Sequence, residues 1–504
     1  MQHSSTFRSL RHALAATLAL WALALGHAFA FGFDDVAREA ERLAKAPYRE
    51  PPAADPALAG LSYDAYRQRR FRPEFSTWRG SGTPFELQYF PLGRGFTRPL
   101  AMFEVVGDAV RPLQLPAGAF ENGADGGIAG WRLNRWIDQP RRSDEVAAFL
   151  GASYFRLVAQ GLRYGVSARA LAVDTVGGGG EEFPAFTTFW LQRPQPGEDA
   201  LHFFALLESP RVTGAYAFVL RPGSGAGAAS TVDVRARLTL RAPVLRLGIA
   251  PLTSMFLAGE TQPVADDYRP EVHDSDGLQV ASGSGEWLWR PLTNPANVFV
   301  TSFALPSLRG FGLMQRDRAF ASYHDIEARY ELRPSAWVEP IGDWGPGKVE
   351  LLQFRTPDET HDNIGAWWFP DRLPAPGEAV EYAWRVSVSD RQPLPPAAWV
   401  VQSRRGHGYR TTAPTPGQTQ YQIDFAGPAL DSLGAVDVVE AVASGNANVR
   451  GLRAIAYANP GLPGWRVSLD YERIDPKLPV ELRVFLRSGT RTLSETWSHA
   501  TAPE

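Results

Sequence analysis

The stretch EYAWRVSVSDRQPLPPAAW, residues 381–399, decides the type of fold. Tyr382, Trp384, Val386 and Val388 alternate with smaller or polar residues, the period-two pattern of a half-buried strand. The run from Asp390 to Pro396 breaks that pattern, and Pro393, Pro395 and Pro396 make a stiff connector before a new strand begins at Trp399. Two β units are therefore expected, a large one over 31–390 and a smaller one over 397–504, with 391–396 as the linker. Downstream, seven strand-like runs lie near Trp399, Tyr421, Val436, Leu452, Trp465, Leu482 and Thr492. The clearest is Trp465/Val467/Leu469/Tyr471. Seven short strands in that length suggest an immunoglobulin-like sandwich without its disulfide.

Upstream, strands are read at Phe85/Leu87/Tyr89, Thr187/Phe189/Leu191, His202 to Leu207, Tyr216 to Leu220 and Val232 to Leu240. Helical spacing is confined to Asp34–Ala46, with acids at its start and Pro47 as a stop, and to Tyr63–Phe71 ahead of Pro73. Gly177–Gly180 and Pro222–Ser230 read as exposed loop tips. Composition agrees with a mainly β chain: 47 Gly, 41 Pro and 12% aromatic residues in 504 suit many strands joined by turns. The absence of cysteine removes disulfides, thiolate nucleophiles and Cys-type zinc sites. Whatever chemistry occurs uses oxygen or nitrogen groups.

Residues 1–30 have the parts of a secretory signal: Arg8 and Arg11, an apolar run from Ala13 to Leu25, and Ala28-Phe29-Ala30 as a small-x-small site. Cleavage after Ala30 and a periplasmic location are expected. The apolar run falls short of the roughly 20 residues of a spanning helix, and Arg8 and Arg11 are not adjacent, so a twin-arginine route is not indicated. A formal net charge of -3, with no basic stripe, argues against nucleic acid as a partner. Gly342 to Lys348 fits most of a phosphate-binding loop, but Val349 stands where Ser or Thr must reach magnesium and Pro346 removes a cradling amide, so it reads as a glycine-rich turn and no nucleotide is expected.

Two acidic clusters carry histidine, Glu271-Val-His273-Asp274-Ser-Asp276-Gly277 and Asp358-Glu359-Thr-His361-Asp362-Asn363. Neither has specific ligand spacing, so no metal and no cofactor are assigned. Read as carboxylate pairs, they offer a proton donor and a proton acceptor on separate loops, as glycoside hydrolysis requires. Trp287, Trp289, Trp337, Trp344, Trp367 and Trp368 fall in the same region, as do Arg269, Arg290, Arg316, Arg318 and Arg333. Indole faces stack on sugar rings and guanidinium forks reach hydroxyls, although Trp287 and Trp289 share one strand face and core packing competes with that reading. The six tryptophans and Arg316 are the expected substrate-binding set.

At these residues the chain resembles the bacterial periplasmic glucans biosynthesis protein G/D family. The likeness runs through GASYFR (151–156), SARALAVDT (167–175), EEFP (181–184), SPRVTGAY (209–216), APLTSMF (250–256), YRPEVHDSDGL (268–278), GEWLWRPL (285–292), GFGLMQRDR (310–318), ELRPSAWVEP (331–340) and DETHDNIGAWW (358–368), ending in LSETW (493–497). The signal segment looks more like protein G than protein D. The resemblance implies a galactose mutarotase-like sandwich followed by an immunoglobulin-like one. It also implies a β-1,2-glucan backbone as substrate, cut by an inverting endo-β-1,2-glucanase.

By the same likeness Asp362 is the general acid, Asp274 the general base, and Glu359 a supporting carboxylate. An inverting acid needs a raised pKa, so Asp362 is expected in a drier place than Asp274. The competing reading is a non-catalytic scaffold that guides nascent glucan to a membrane glucan synthase or branching enzyme. A mutarotase-type epimerase rests on fold analogy alone.

Overall fold

The chain was examined as a computed structural model, which describes residues 31–504 apart from 53–54, 124–126, 138–142, 178, 265, 392, 408–416 and 434–436. The signal segment with its cleavage site, the run near Val436, and parts of the linker and of Gly177–Gly180 lie outside the described residues. The chain is mainly β, as its composition implies. One ten-stranded sheet runs in the order Phe85–Pro91, Ile128–Arg135, Asp144–Leu150, Tyr154–Leu157, Ser167–Arg169, Leu247–Ser254, Ile364–Pro370, Gly347–Gln353 and Phe299–Leu305, with Leu171–Val173 pairing alongside Leu247–Ser254. A fifteen-stranded sheet carries Ser230–Leu240 paired with Ala379–Ser389, the strand read from Tyr382 to Val388. Inward side chains of both sheets form one core, from Trp131, Phe149 and Phe203 to Val234, Trp368 and Trp384. Burial along Ser230–Leu240 alternates, with Val232, Val234, Ala236 and Leu238 inward and the residues between them more exposed, as two facing sheets demand.

The N-terminal helix spans Phe33–Ala44. Its start is closed by Asp35, which accepts the Gly32 N–H at 2.8 Å, and it buries Val36, Ala37 and Ala40 against Leu206 and Ala215. The second helix stops at Arg67 instead of reaching Phe71. Phe71 is drawn into the core, edge-on to Tyr89 and Phe120 with centroids 5.5 Å away in each case, so its burial outweighs continued helical periodicity. The loop Pro222–Ser230 is exposed at its tip, Ser224 to Ala226, and anchored at its base: Pro222, Gly223 and Ser230 are buried, and the Ser230 hydroxyl accepts from Gly223 N–H and donates to the Val158 carbonyl. Among the described residues, no helix is long and apolar enough to cross a membrane.

Beyond the prolines a second core forms around Tyr421, Ile423, Val467, Leu469, Leu482, Val484 and Trp497. It is not isolated. Thr496–Thr501 pairs in parallel with Trp287–Pro291, joining Leu288 to Thr496 and Trp289 to Trp497, so C-terminal strands extend the fifteen-stranded sheet. Trp287, Trp289 and Trp337 belong to this second core. Arg316 lies 3.6 Å from the Trp289 ring centroid and pairs at 2.6 Å with Glu495, both side chains nearly devoid of solvent. It also donates to the Val400 carbonyl and to Gln279. Removing one member of a buried ion pair strands the other charge at a cost of about 3–5 kcal/mol. Glu495→Ala is therefore expected to lower the urea midpoint strongly, whereas Glu440→Ala, which breaks an exposed pair with Arg487, changes it little.

Candidate active site

The second acidic cluster leads into Ile364–Pro370, an interior strand of the ten-stranded sheet, and the first surrounds Val272–His273, which pairs with Phe256–Ala258 in a separate two-stranded sheet. A short piece of chain, Met255–Phe256, connects them. Asp274 N–H donates to the Met255 carbonyl at 2.9 Å. The amide of Asn363, fully buried, accepts from Phe256 N–H at 2.8 Å and donates to the Phe256 and Phe354 carbonyls. Both aspartates are thus registered against the same dipeptide.

The Asp274 carboxyl is shielded, with 13% of its side chain exposed, and its Oδ1 lies 3.2 Å from Arg333 Nε without hydrogen-bond geometry. Burial pushes its pKa up to about 6, with Arg333 pulling against it and the Asp362 charge adding to the rise. Asp362 is also raised, by partial desolvation against the cleft wall, while Arg156 and His361 oppose the rise. As a residue Asp362 is exposed. The expected order of dryness is reversed, because Asp274 lies beneath the loops and Asp362 lies at their mouth.

Asp362 opens into a cleft of about 650 Å³ walled by Phe90, Phe96, Tyr154, Arg156, Tyr164 and neighbours. Arg156 acts electrostatically on both aspartates, and its Nε donates to Ser167 at 2.7 Å. Tyr164 donates to Glu145 at 2.9 Å, and its carbonyl accepts from Arg333, which ties the cleft wall to the partner of Asp274. Opposite the base of the cleft, His273 is fully buried, hydrogen-bonded to Glu271 at 2.8 Å and Gln315 at 2.9 Å. Burial alone would lower its pKa, but the Glu271 bond prevails and raises it. Among the described residues, no three His, Asp or Glu side chains converge as a metal-binding group.

The other expected site residues are placed differently. Glu359 accepts from Arg269 at 2.6 Å, and that guanidinium also holds Asp267 and Asp325. Its hydrogen bond therefore closes a loop and is not made to Asp362. The tryptophans are a correction: Trp289, Trp337, Trp344, Trp367 and Trp368 are all buried, and Trp287 is half-buried and stacked on Trp337 with centroids 5.9 Å apart. Trp344 and Trp368 fill the main core. Trp289 lies so flat over Gly277 that a Cβ there would meet its ring at 2.1 Å, and Trp367 covers Gly248 in the same way while its indole N–H donates to Glu350 at 3.0 Å. Arg316 is likewise enclosed between Trp289 and Glu495. The aromatic lining of the cleft comes from Phe90, Phe96, Tyr154, Phe155 and Tyr164, roughly 200 to 270 positions before Asp362, and no local pattern marks those rings as exposed to a ligand.

Comparison with known proteins follows the same whole-chain extent. The family described as "Periplasmic glucan biosynthesis protein, MdoG" matches residues 31–501. A protein of Ralstonia nicotianae named "Glucans biosynthesis protein G" is 46% identical, covering 96% of this chain and 99% of its own. Proteins of the same name from Pseudomonas paraeruginosa and Pseudomonas aeruginosa are 44% and 43% identical, each covering 94% of this chain and 93% of their own. The chain belongs to the MdoG family of periplasmic glucan biosynthesis proteins.

Proposed function

We propose that the protein works in the periplasm on the β-1,2-glucan backbone of osmoregulated glucans, as an inverting endo-β-1,2-glucanase. The observation that carries the reading is the pair of electrostatically interacting aspartates with raised pKa values, on two loops registered against Met255–Phe256, of which Asp362 lines a cleft walled by aromatic rings. The substrate class comes from the family likeness and from the relatives' names. In this reading residues 1–30 are an export signal cleaved after Ala30. The part before the linker is a galactose mutarotase-like sandwich, and 397–504 is an immunoglobulin-like appendage.

Asp362, exposed in the free protein, is the general acid. A glucan chain laid across the cleft mouth would displace its water and raise its pKa further, so the acid is readied by the substrate itself. Asp274 is the general base, activating a water from below. Arg333 keeps the Asp274 pKa lower than burial alone would set it, so a useful fraction is ionised near neutrality. No cofactor is required for this chemistry.

Asp362→Asn and Asp274→Asn are expected to stay folded, bind linear β-1,2-glucan and lower the release of reducing ends by about 10²–10⁴-fold. Release at the parent rate by both would overturn the assignment. Binding without any cleavage by the parent would favour a scaffold that hands glucan to a membrane synthase.

Because Asp274 must be ionised, kcat/KM should fall about tenfold per pH unit below a pKa of about 6. Arg333→Gln removes the group that lowers that pKa, so the acid limb of the profile should move to higher pH. The linkage has a definite sign. The folded pKa of Asp274 is above its unfolded value, so its contribution to stability is full at low pH and is lost as pH rises through about 6. Asp274→Asn should remove that part of the decline in Tm between about pH 4 and 6.

A further inference from the structure

The cleft continues past Tyr154. Phe96, Leu150, Gly151, Ala152 and Tyr154 also wall a second cavity of about 300 Å³ that includes Arg98 and Phe183. Arg98 and Phe183 in turn wall a third of about 620 Å³, together with Tyr48, Glu50, Glu181 and Arg211. The three adjoin through shared walls, a series that starts at Asp362 and is termed the trough. Each is of a size that holds a small organic ligand or a segment of a longer one.

Phe183 stands out along this track. It is 50% exposed, comparable to a few other aromatic side chains such as Tyr63 and Trp136, and it differs from them in walling two of these cavities. One ring face is occupied: the Arg169 guanidinium lies 4.6 Å from the Phe183 centroid and 5.3 Å from that of Tyr154. Arg169 is itself buried, fixed by Glu181 at 2.8 Å and the Glu182 carbonyl at 3.1 Å. The sequence Glu181-Glu182-Phe183 thus has a physical reading. Glu181 anchors the arginine beneath the rings, Glu182 pairs with Arg211 at 2.7 Å, and Phe183 is held out over the trough.

The turn facing it is equally constrained. Ala152 adopts φ 44°, which costs an alanine roughly 1–2 kcal/mol. A Cβ at Gly151, where φ is +81°, would meet the Phe96 ring at 3.2 Å. The charges along the trough are balanced, with Arg98 paired to Glu50, Arg169 to Glu181, and Arg211 to Glu182 and Asp174. Paired arginines offer hydrogen bonds to hydroxyls without attracting an anion, which suits an uncharged polyhydroxyl chain and not a nucleic acid or phosphate.

We propose that Phe183 and Tyr154, mounted on Arg169, form a stacking platform that holds the glucan chain at a distance from the bond being cut, with Phe183 setting a preference for long chains. This rests on the glucanase reading above and extends it to residues that touch substrate but not the reacting atoms. An open trough with a distant platform serves internal cleavage, because a short oligomer fills the Asp362 cleft without reaching Phe183.

The test uses the full mature chain with Asp362→Asn, which holds substrate without consuming it, with and without Phe183→Ala. Affinity is measured calorimetrically for linear β-1,2-glucan of long average length and for a short β-1,2-oligomer. Adding Phe183→Ala should weaken long-chain binding about tenfold and short-oligomer binding less than twofold, and Phe183→Trp should restore the long-chain affinity, with far-UV circular dichroism unchanged. Equal loss for both lengths would mean that Phe183 props the cleft and does not bind the chain, and no loss for either would mean that it does not touch glucan. Both results overturn the platform while leaving the glucanase reading in place. Absence of binding at any length by Asp362→Asn, with the parent releasing no reducing ends, would remove the glucanase reading and the platform with it.

Discussion

The side-chain amide of Asn363 is the interaction on which the candidate site depends. By bonding to both the N–H and the carbonyl of Phe256, it attaches the loop carrying Asp362 to the chain whose Met255 carbonyl receives the N–H of Asp274. A buried primary amide with these partners has one rotamer that satisfies them all, and leaving any unpaired costs roughly 1–3 kcal/mol. The spacing of two carboxyl groups on remote loops is thereby set by backbone registration, which is stiffer than any contact between long side chains. Around this centre Arg333 and Tyr164 join the Asp274 side to the cleft wall, and Arg269 gathers Asp267, Asp325 and Glu359 on the outer side.

The second constraint is the shared sheet. Asp274 and Asp276, two residues apart in the bend between Val272–His273 and Gly277–Ser282, have different partners: Asp274 interacts with Asp362 and Arg156, while Asp276 accepts the N–H groups of Arg316 and Asp317 beside a small cavity between the two cores. Arg316 then reaches Glu495 and Val400. The C-terminal strands are therefore part of the structure that holds the candidate base in place, and the prolines at 393–396 start a new core without freeing it from the old one.

Much of this was legible in the sequence because the responsible signals are local. Period-two alternation located Phe85–Pro91, Ser230–Leu240, Ala379–Ser389 and Trp465–Arg473, and the acidic loops stood out by composition. The tryptophans misled because density in sequence carries no information on burial. A large ring lying across the neighbouring strand of its own sheet needs a glycine beneath it, and Trp289 over Gly277 satisfies that need as well as a sugar site would. The cleft lining was illegible for the opposite reason. Phe96, Tyr154, Arg156 and Tyr164 meet Asp362 only through the order of strands in the ten-stranded sheet, a contact across roughly 200 to 270 residues that no window reveals. Nor could the relative dryness of Asp274 and Asp362 be read, since it depends on which loop lies uppermost.

In the proposed reaction Asp362 protonates the glycosidic oxygen while a water deprotonated by Asp274 attacks the anomeric carbon from the opposite face. The configuration of the new reducing end reports that directly. Linear β-1,2-glucan incubated with the mature protein and followed by ¹H NMR in the first minutes should release α-anomeric ends, with the β-anomer appearing only later by mutarotation. Initial release of the β-anomer, or no new reducing ends at all, would contradict the account.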